Sequence, residues 1–594
     1  MIANRSSSSV RLALAGLFIT AAASLAPEHV FAQALPAFSQ IIVFGDSLSD
    51  TGNVRDRTNS STGGTVDYPS NTFNYSDGRF TNSSDTDPSS TTYVGVWHEQ
   101  LARTFLNLPP ASFSLGGGTN YAFGGATTND GTNERVAVSV PLFGDVTITI
   151  DNMGKQVDDY LAGYVVDPQA LYIVWGGGND LFDDDSAPSV TAIAARATAL
   201  VSRLANAGAR YILVPNVPPL GEIPEHSGDT AAMMSLNVAS ANYRAELNAD
   251  LTSSLAALSW QGITPTVYRF DVWKNTIRIL SNPESYGFTD VVNPSQDRSE
   301  VSPDDYLFWD DKHPTTAGHY LTAKGAYDAL TLPTIPAAKA VNISTRVDVD
   351  TGERVSIAGF IVTGDAAKRV LIRGTGPSLS ASNVPNPLAD PTLTLFDASR
   401  NTLDSNDDWK QSQRQAEIMA SGIPPNNDLE SAIIATLAPG SYTAVLAGKD
   451  GSTGIGLVEV YDLDSAANST LGNVSTRGFV GTGDNVIIGG VIIGEGDSPI
   501  VVLRAIGTTL TNSGIGNPLL DPTIELHDGN GAVIGFNDNW KDSQEQAVQA
   551  TQLAPLDDRE SAIVAFLTPG NYTAVVRGKG DTTGVALVEA YRVP

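Results

Sequence analysis

The chain has 594 residues, of which 41% are hydrophobic and 17% are charged, enough apolar material for more than one folded core. Acidic residues outnumber basic ones 65 to 35, and the formal charge of −30 argues against nucleic acid or anionic lipid as partners, because both attract Lys and Arg. Cysteine is absent, so disulfide bonds, thiolate catalysis and cysteine metal sites are excluded.

The N-terminus has the three-part layout of a secretory signal peptide. Arg5 and Arg11 precede an apolar stretch over 12–26, and small residues around Ala32 offer a cleavage site. These features predict a signal peptide over 1–34 and a secreted, extracellular protein, with a periplasmic or cell-surface location as the alternative. No later stretch reaches about 18 uninterrupted apolar residues, so we expect no transmembrane segment.

Residues 35–332 alternate short β-type runs with helical runs. The predicted strands are 39–45, 170–177, 210–219 and 264–270, and the predicted helices are 191–208 and 231–258. This alternation is typical of an α/β fold, with a parallel sheet covered by helices on both faces. Ligands of such folds bind at the carboxyl ends of the strands.

After a Pro- and Ala-rich linker over 333–340, the sequence repeats itself at an offset of 130 to 131 residues. For example, "NDDWKQSQ" at 406 recurs as "NDNWKDSQ" at 537. Runs of β-branched residues between glycine-rich turns predict two all-β sandwich-like repeat modules, 341–466 and 467–594. We expect these modules to act as a spacer or to contact a cell surface or polysaccharide.

The acidic turn 404–409 of the first module has carboxylates at alternating positions, as calcium loops do. Its counterpart at 535–540 lacks the first carboxylate, and neither copy has the remainder of an EF-hand. The pattern therefore favours a solvated turn, and we predict no metal ion here.

The segment "IIVFGDSLSDTGN", residues 41–53, carries the strongest chemical signal, because a buried strand runs directly into Ser47. Asp46 and Asp50 beside it are expected to fix the loop by accepting backbone N–H groups. A nucleophilic serine needs a base, and His313 has the most suitable surroundings. Asp310 precedes it by three residues, close enough for a tight turn to aim the carboxylate at the imidazole.

Further along the chain, His313 and two glycine-rich segments complete the candidate site. Pro314 suits the first position of a helix, which would put His313 at a loop-to-helix junction. The segment "NYAFGGA", 120–126, offers the N–H groups of a glycine pair, and "GGGNDLF", 176–182, offers the amide of Asn179. Donors of this kind stabilise a developing oxyanion.

These residues lie in four blocks that occur in the same order as in the GDSL, or SGNH, hydrolases, and the chain resembles that family over about residues 39–332. The blocks are Gly45-Asp46-Ser47-Leu48, Gly124-Gly125, Gly177-Gly178-Asn179-Asp180 and Asp310-Asp311-Lys312-His313. The resemblance implies a three-layer α/β/α sandwich. It also implies a carboxylic-ester hydrolase, an esterase or lipase, that needs no cofactor and forms an acyl-serine intermediate.

By this resemblance Ser47 is the nucleophile, His313 the base and Asp310 its orienting acid. The oxyanion hole would consist of the N–H of Ser47, the N–H of Gly125, with Gly124 in reserve, and the side chain of Asn179. Asp311 competes with Asp310 for the orienting role, and the family spacing favours Asp310.

Three alternatives stay open at this point. A metal site of Asp310, Asp311, His313 and His319 would leave Ser47 without a role. Acyl transfer to an alcohol could use the same site, and a binding protein could act through 341–594. The substrate is a short-acyl ester, a lipid or an acetylated carbohydrate. The polar segment 55–92, predicted to form a long loop beside the site, slightly favours sugar-linked or short acyl esters.

Overall fold

The structure, a computed structural model, describes residues 35–82, 93–141, 144–182, 189–332 and 335–593. They divide into two units, which meet in sequence between residues 334 and 335. The predicted signal peptide over 1–34 lies outside the described residues. Across the described ranges, no helix is both long enough and apolar enough to cross a bilayer.

The N-terminal unit contains eight strands and eight α-helices in its described part. The strands are β1 (Ile41–Gly45), β2 (Thr132–Val140), β3 (Gly144–Asp151), β4 (Leu171–Trp175), β5 (Tyr211–Pro215), β6 (Thr266–Phe270), β7 (Asp290–Pro294) and β8 (Tyr306–Phe308). The helices are α1 (Asn53–Ser61), α2 (Trp97–Gln100), α3 (Met153–Gly163), α4 (Gly178–Phe182), α5 (Val190–Asn206), α6 (Thr230–Trp260), α7 (Val272–Ser281) and α8 (Thr316–Thr331). A π-helix, Leu101–Leu106, continues α2.

The central sheet has the order β1-β4-β5-β6, and all of its strands are parallel. Alternate side chains point to opposite faces. Phe44 and Tyr172 pack with residues of α3, α5 and α6, whereas Val43 and Ile173 pack with residues of α2 and α8. Burial on both faces explains why these strands read as uninterrupted apolar runs. The predicted parallel sheet between two helical layers is therefore confirmed.

The segment 55–92 is not one long loop. Helix α1 occupies its beginning, and residues 83–92 lie outside the described residues. Between them, Tyr75 and Phe80 pack into an apolar cluster with Ile148 and Ile150 of the β2–β3 hairpin. Apolar side chains thus hold this polar segment to the body of the unit.

The C-terminal unit is all-β apart from two short helices and several single turns. Its strands are β9 (Ala340–Val349), β10 (Ser356–Gly364), β11 (Lys368–Thr375), β12 (Pro391–Asp397), β13 (Thr402–Asn406), β14 (Ser431–Leu437), β15 (Gly440–Gly448), β16 (Gly454–Asp462), β17 (Ser469–Val480), β18 (Ile487–Ile493), β19 (Ile500–Ile506), β20 (Pro522–His527), β21 (Val533–Asn537), β22 (Ser561–Phe566), β23 (Gly570–Gly578) and β24 (Gly584–Val593). The helices are α9 (Gln415–Ala420) and α10 (Glu545–Ala550).

The strands of the two sequence copies join each other edge to edge. Antiparallel pairing follows the order β13-β12-β15-β10-β17-β24-β19-β22 on one path and β21-β20-β23-β18-β9-β16-β11-β14 on the other. Each path takes four strands from each copy, and one core contains residues of both. The prediction of an all-β C-terminal region is confirmed, and its division into two sandwich-like repeat modules, with the boundary between residues 466 and 467, stays a prediction.

A lysine from a later segment of the same copy pairs with the acidic turn in each copy. Lys449 Nζ lies 2.6 Å from Asp407 and 3.6 Å from Asp390. In the second copy, Lys579 Nζ lies 2.6 Å from Asp538. The carboxylates of these turns are therefore paired with an ammonium group that the duplication has kept in place.

Candidate active site

The loop that carries Ser47 begins at the carboxyl end of β1, and Gly45 fixes its start. A Cβ atom at Gly45 would lie 2.7 Å from the carbonyl oxygen of Trp175, so a side chain does not fit there. The side-chain amide of Gln156 accepts the N–H of Gly45 at 2.9 Å and donates to its carbonyl at 2.9 Å. Ser47 therefore follows a rigidly held strand end.

Asp50 joins this loop to the glycine pair. Its carboxylate accepts four backbone N–H groups, those of Gly52, Asn53, Val54 and Gly124, at 2.8 to 3.1 Å. Burial raises the pKa of Asp50 to about 6, against the opposing effect of these donors. The expectation that Asp50 fixes the loop through backbone N–H groups is confirmed, and the same carboxylate also holds Gly124.

Ser47, His313 and Asp310 form a continuous chain of polar contacts. His313 Nε2 lies 2.8 Å from Ser47 Oγ, and His313 Nδ1 lies 2.7 Å from Asp310 Oδ2 and 2.9 Å from Oδ1. The His313 and Asp310 side chains are each 12% exposed, so water screens their contact only weakly. Residues that are 266 positions apart in sequence thus meet within hydrogen-bonding distance.

The Asp310 carboxylate has three further donors. Its Oδ1 accepts the N–H groups of Lys312 at 2.8 Å and His313 at 2.7 Å, and its Oδ2 accepts the hydroxyl of Tyr75 at 2.7 Å. Burial alone would raise the pKa of Asp310, but the charge and hydrogen bond of His313, together with these donors, hold it below the ordinary value. The carboxylate is therefore kept ionised beside the imidazole.

His313 precedes α8, although the helix starts later than Pro314 suggested. Thr315 is the N-cap, since its side chain accepts the N–H of Gly318 at 3.2 Å, and the helix begins at Thr316. Pro314 is thus in the approach to the helix and not in its first position. The ring of Phe80 stacks on the imidazole of His313 at a centroid distance of 5.0 Å.

The predicted oxyanion donors Gly125 and Asn179 lie in two segments that are joined by a hydrogen bond. Gly125 has φ of 81°, a left-handed conformation that favours glycine, and Gly124 donates its N–H to Asp50. Asn179, at the start of α4, lines the same cleft as Ser47 and donates one N–H to the carbonyl of Ala126 at 2.9 Å. Asn179 is therefore tied to the glycine turn.

Comparison with known proteins identifies the family of the N-terminal unit. Residues 41–326 match the family described as GDSL-like lipase/acylhydrolase. These residues form a GDSL hydrolase domain. Esterase EstA of Pseudomonas aeruginosa is 30% identical over 357 residues, which are 54% of this chain and 51% of that protein. The phosphatidylcholine-sterol acyltransferase of Aeromonas hydrophila is 28% identical over 268 residues, which are 44% of this chain and 67% of that protein.

Among solved structures, a member of the lipolytic G-D-S-L family from Veillonella parvula aligns with 49% of this chain and 96% of its own, at 14% identity and a TM-score of 0.25. The chain spans about half the length of the esterase it matches. The predicted family resemblance is confirmed for the GDSL domain, and with it the prediction of an enzyme.

A cleft opens beside Ser47 and His313 in the GDSL domain. It encloses about 1060 Å³, including space that is open to solvent. Its lining is mainly apolar and includes Phe182, Leu220, Ile223, Ile279, Leu307 and Phe308. The cleft offers an aliphatic group a place to be removed from water next to the serine hydroxyl.

In the described part of the chain, Asp311 and His319 do not form a metal-binding group with Asp310 and His313. Asp311 is exposed, and His319 is buried with its Nδ1 accepting the N–H of Trp97 at 3.3 Å. Burial lowers the pKa of His319 to about 3, with His313 and His98 acting in the same direction. Within the described ranges, the one group of three carboxylate or imidazole donors close enough to share an ion is Asp390, Asp407 and Asp408.

Sequence reasoning missed Tyr75 and Phe80 as neighbours of the triad. They lie in "YSDGRFTN", residues 75–82, a stretch that is similar to a secondary signature of the family but whose local pattern assigns no role to either ring. The sequence favoured a helix cap for Asp180, whereas its buried carboxylate accepts from Thr128 and pairs with Arg196 at 2.9 Å. Only their distant partners reveal what these side chains do.

Asp46 gives the GDSL domain a testable pH dependence. It is 6% exposed, and burial raises its pKa to about 6 from 3.8, although the N–H of Leu48 and the charge of His313 oppose the shift. A raised carboxyl pKa favours the folded state below pH 3.8, and this advantage is lost as the pH rises through about 6.

The stability advantage of Asp46→Asn over the unsubstituted protein should therefore be larger at about pH 7.5 than at about pH 4, by about 2.5 kcal/mol. Calorimetry of the GDSL domain's unfolding transition at both pH values measures the change, and any constant cost of the amide cancels in the difference. Asp311→Asn, at an exposed carboxyl, is the matched control. An equal effect of Asp46→Asn at both pH values would contradict the prediction.

Proposed function

We propose that the GDSL domain hydrolyses carboxylic esters through a Ser47–His313–Asp310 triad. The observation that carries this proposal is the polar chain in which His313 contacts Ser47 Oγ through Nε2 and Asp310 through Nδ1. Asp310 holds the proton on Nδ1, which leaves the Nε2 lone pair facing the serine hydroxyl. That tautomer is the one a general base needs.

The reaction follows from this orientation. Nε2 takes the proton from Ser47 as Oγ attacks the ester carbonyl, and Asp310 stabilises the imidazolium that forms. The imidazolium then protonates the departing alcohol, and an acyl group is left on Ser47. Water activated by the same imidazole releases the acid and restores the serine.

For the oxyanion we propose three donors: the N–H of Ser47, the N–H of Gly125 and the side-chain amide of Asn179. Because Gly124 already donates to Asp50, Gly125 is the donor we assign to this turn. The bond from Asn179 to Ala126 supports the assignment, since it fixes the orientation of the amide beside the turn. Such fixed donors stabilise the charge without reorganising during the reaction.

Asn179→Ala should lower kcat by about 10²–10³, the usual loss for one oxyanion donor. KM should change little, because the donor acts on the charge that develops in the transition state. Initial rates on a p-nitrophenyl ester measure both. Asn129→Ala, which removes an amide bonded to Thr127, is the control. A loss of kcat below tenfold would assign the third donor elsewhere.

The apolar walls of the cleft favour an aliphatic acyl group over the short or sugar-linked esters that the polar segment 55–92 suggested. Each methylene buried contributes about 0.8 kcal/mol, or about fourfold in kcat/KM. A p-nitrophenyl ester series from acetate to decanoate tests the function and the substrate together. We expect kcat/KM to rise with chain length before it levels off.

A phosphonate ester and peptide mapping should in parallel place a covalent adduct on Ser47. Turnover with a preference for acetate would contradict only the aliphatic acyl group. The absence of both turnover and labelling would contradict the proposed hydrolysis itself.

Acyl transfer on the same site is the second candidate, favoured by the likeness to a protein named as an acyltransferase. Adding an alcohol acceptor and measuring the ratio of ester to free acid decides between the two. We also propose that 1–34 directs secretion and that 341–594 contacts a cell surface or polysaccharide. N-terminal sequencing of exported protein and a pull-down with the C-terminal unit test these points.

A further inference from the structure

Tyr75 contacts the triad through Asp310, whereas Ser47 contacts it through His313. Its hydroxyl donates to Asp310 Oδ2 at 2.7 Å, and its side chain is buried. We infer that Tyr75 is a positioning residue of the active site, which sets the basicity of His313 by sharing the Asp310 carboxylate. The inference rests on the proposed hydrolysis and adds a residue to it.

The same carboxylate oxygen serves both partners. Asp310 Oδ2 lies 2.7 Å from His313 Nδ1 and 2.7 Å from the Tyr75 hydroxyl, while Oδ1 accepts the N–H groups of Lys312 and His313. A hydrogen bond from Tyr75 draws negative charge on Oδ2 away from the imidazole. It also holds the carboxylate in one rotamer, so that Nδ1 meets a fixed acceptor.

Toward the Asp310 carboxylate, the Tyr75 hydroxyl acts as the donor. Burial raises the pKa of Tyr75, and the nearby Asp310 carboxylate raises it further, so the phenol keeps its proton. The ring is held by edge contacts with Tyr68 at 5.6 Å and Phe80 at 6.0 Å. Phe80 in turn stacks on His313. One short segment therefore restrains both the acid and the base.

Several other charged or titratable groups face the Asp310–His313 pair. Asp46 faces His313 from the nucleophile loop, and His319 faces it from α8. Tyr68 interacts with Tyr75 and Asp310 from the segment before Tyr75. Tyr75→Phe retains all three groups. It removes a hydrogen bond from Tyr68, but burial raises the pKa of Tyr68 to about 12, so Tyr68 stays protonated on the acidic limb and a shift of that limb reports on the pair.

Tyr75→Phe removes the hydroxyl and keeps the ring. We expect kcat to fall about tenfold with KM within about twofold, as for the loss of one hydrogen bond to a charged group. Without the bond, Asp310 presents more charge to the imidazolium, so the acidic limb of the kcat/KM profile should move upward by about 0.5–1 pH unit. A purely structural role would leave that limb in place.

Tyr172→Phe is the matched control, because it deletes a buried hydroxyl that bonds Tyr160 and the backbone of Asp167. Tyr75→Phe in an Asp310→Asn background gives the second measurement. If Tyr75 acts through Asp310, adding Tyr75→Phe to the Asp310→Asn variant should lower the kcat of that variant by less than about twofold.

An unmoved acidic limb, or a full tenfold loss in the double variant, would overturn the inference. Both results presuppose an active unsubstituted enzyme, so they are distinct from a failure of the proposed hydrolysis, in which the unsubstituted protein turns over no ester.

Discussion

Replacing Ser47 by alanine should lower kcat on a p-nitrophenyl ester by at least about 10⁴-fold while the fold stays intact. The hydroxyl is the only part of the side chain that contacts His313, and alanine has no atom that can form the acyl intermediate. The backbone of the loop should not change, because Gln156 and Asp50 hold it through main-chain groups. The loss should therefore fall on chemistry and not on stability.

Ser49→Ala is the matched control for this variant. Ser49 lies two residues further along the same loop and its Oγ accepts from the indole of Trp97 at 3.0 Å. Its removal should lower the unfolding temperature but leave kcat within about threefold, since a buried neutral hydrogen bond contributes about 1 kcal/mol to stability. Thermal unfolding and residual rates should be measured on both variants. A Ser47→Ala protein that keeps a tenth of its activity would contradict the triad.

The sheet of the GDSL domain could be predicted because strands β1, β4 and β5 are apolar and buried along nearly their whole length. Strand β6 is more exposed and was recognised from its β-type residues. The predicted bounds agree with the structure within two residues at each end: 39–45 corresponds to Ile41–Gly45, and 264–270 corresponds to Thr266–Phe270. The β2–β3 hairpin was missed. Its strands carry exposed residues along much of their length, so their pattern lacks the continuous apolar signal that marked the central sheet.

The candidate site was predictable where its chemistry is local. Asp310 and His313 are three residues apart, and Ser47 follows a recognisable strand. Tyr75 was not predictable, because its partner Asp310 is 235 positions away and nothing near Tyr75 indicates a carboxylate. Gly125 was preferred over Gly124 from the motif alone, and the bond from Gly124 to Asp50 now gives a physical reason for that choice.

The duplication was visible in sequence, but the pairing of its strands was not. Strands β9 and β17 are equivalent in the two copies, and each pairs with a strand of its own copy and with one of the other. Equivalent sequences offer nearly equal partners, so local patterns do not determine which copy supplies each neighbour.

Asp310→Asn should lower kcat by about 10⁴-fold without a large change in KM. The N–H groups of Lys312 and His313 both approach Oδ1, so the amide oxygen should stay there and the NH2 group should replace Oδ2. That NH2 would donate to His313 Nδ1 and move the imidazole proton to Nε2. An Nε2–H facing Ser47 Oγ cannot accept the serine proton, and so the base is lost although its position is kept.

The asparagine also removes the acceptor of the Tyr75 hydroxyl, so some destabilisation is expected and unfolding should be measured alongside the rates. Asp311→Asn is the matched control, because it makes the same change at the neighbouring exposed carboxylate. It should leave kcat within about twofold, as for a surface charge outside the reacting groups. If Asp311→Asn caused the large loss and Asp310→Asn did not, the orienting acid would have to be reassigned. A large loss at Asp310 alone, with the unfolding temperature little changed, ties the effect to the tautomer of His313.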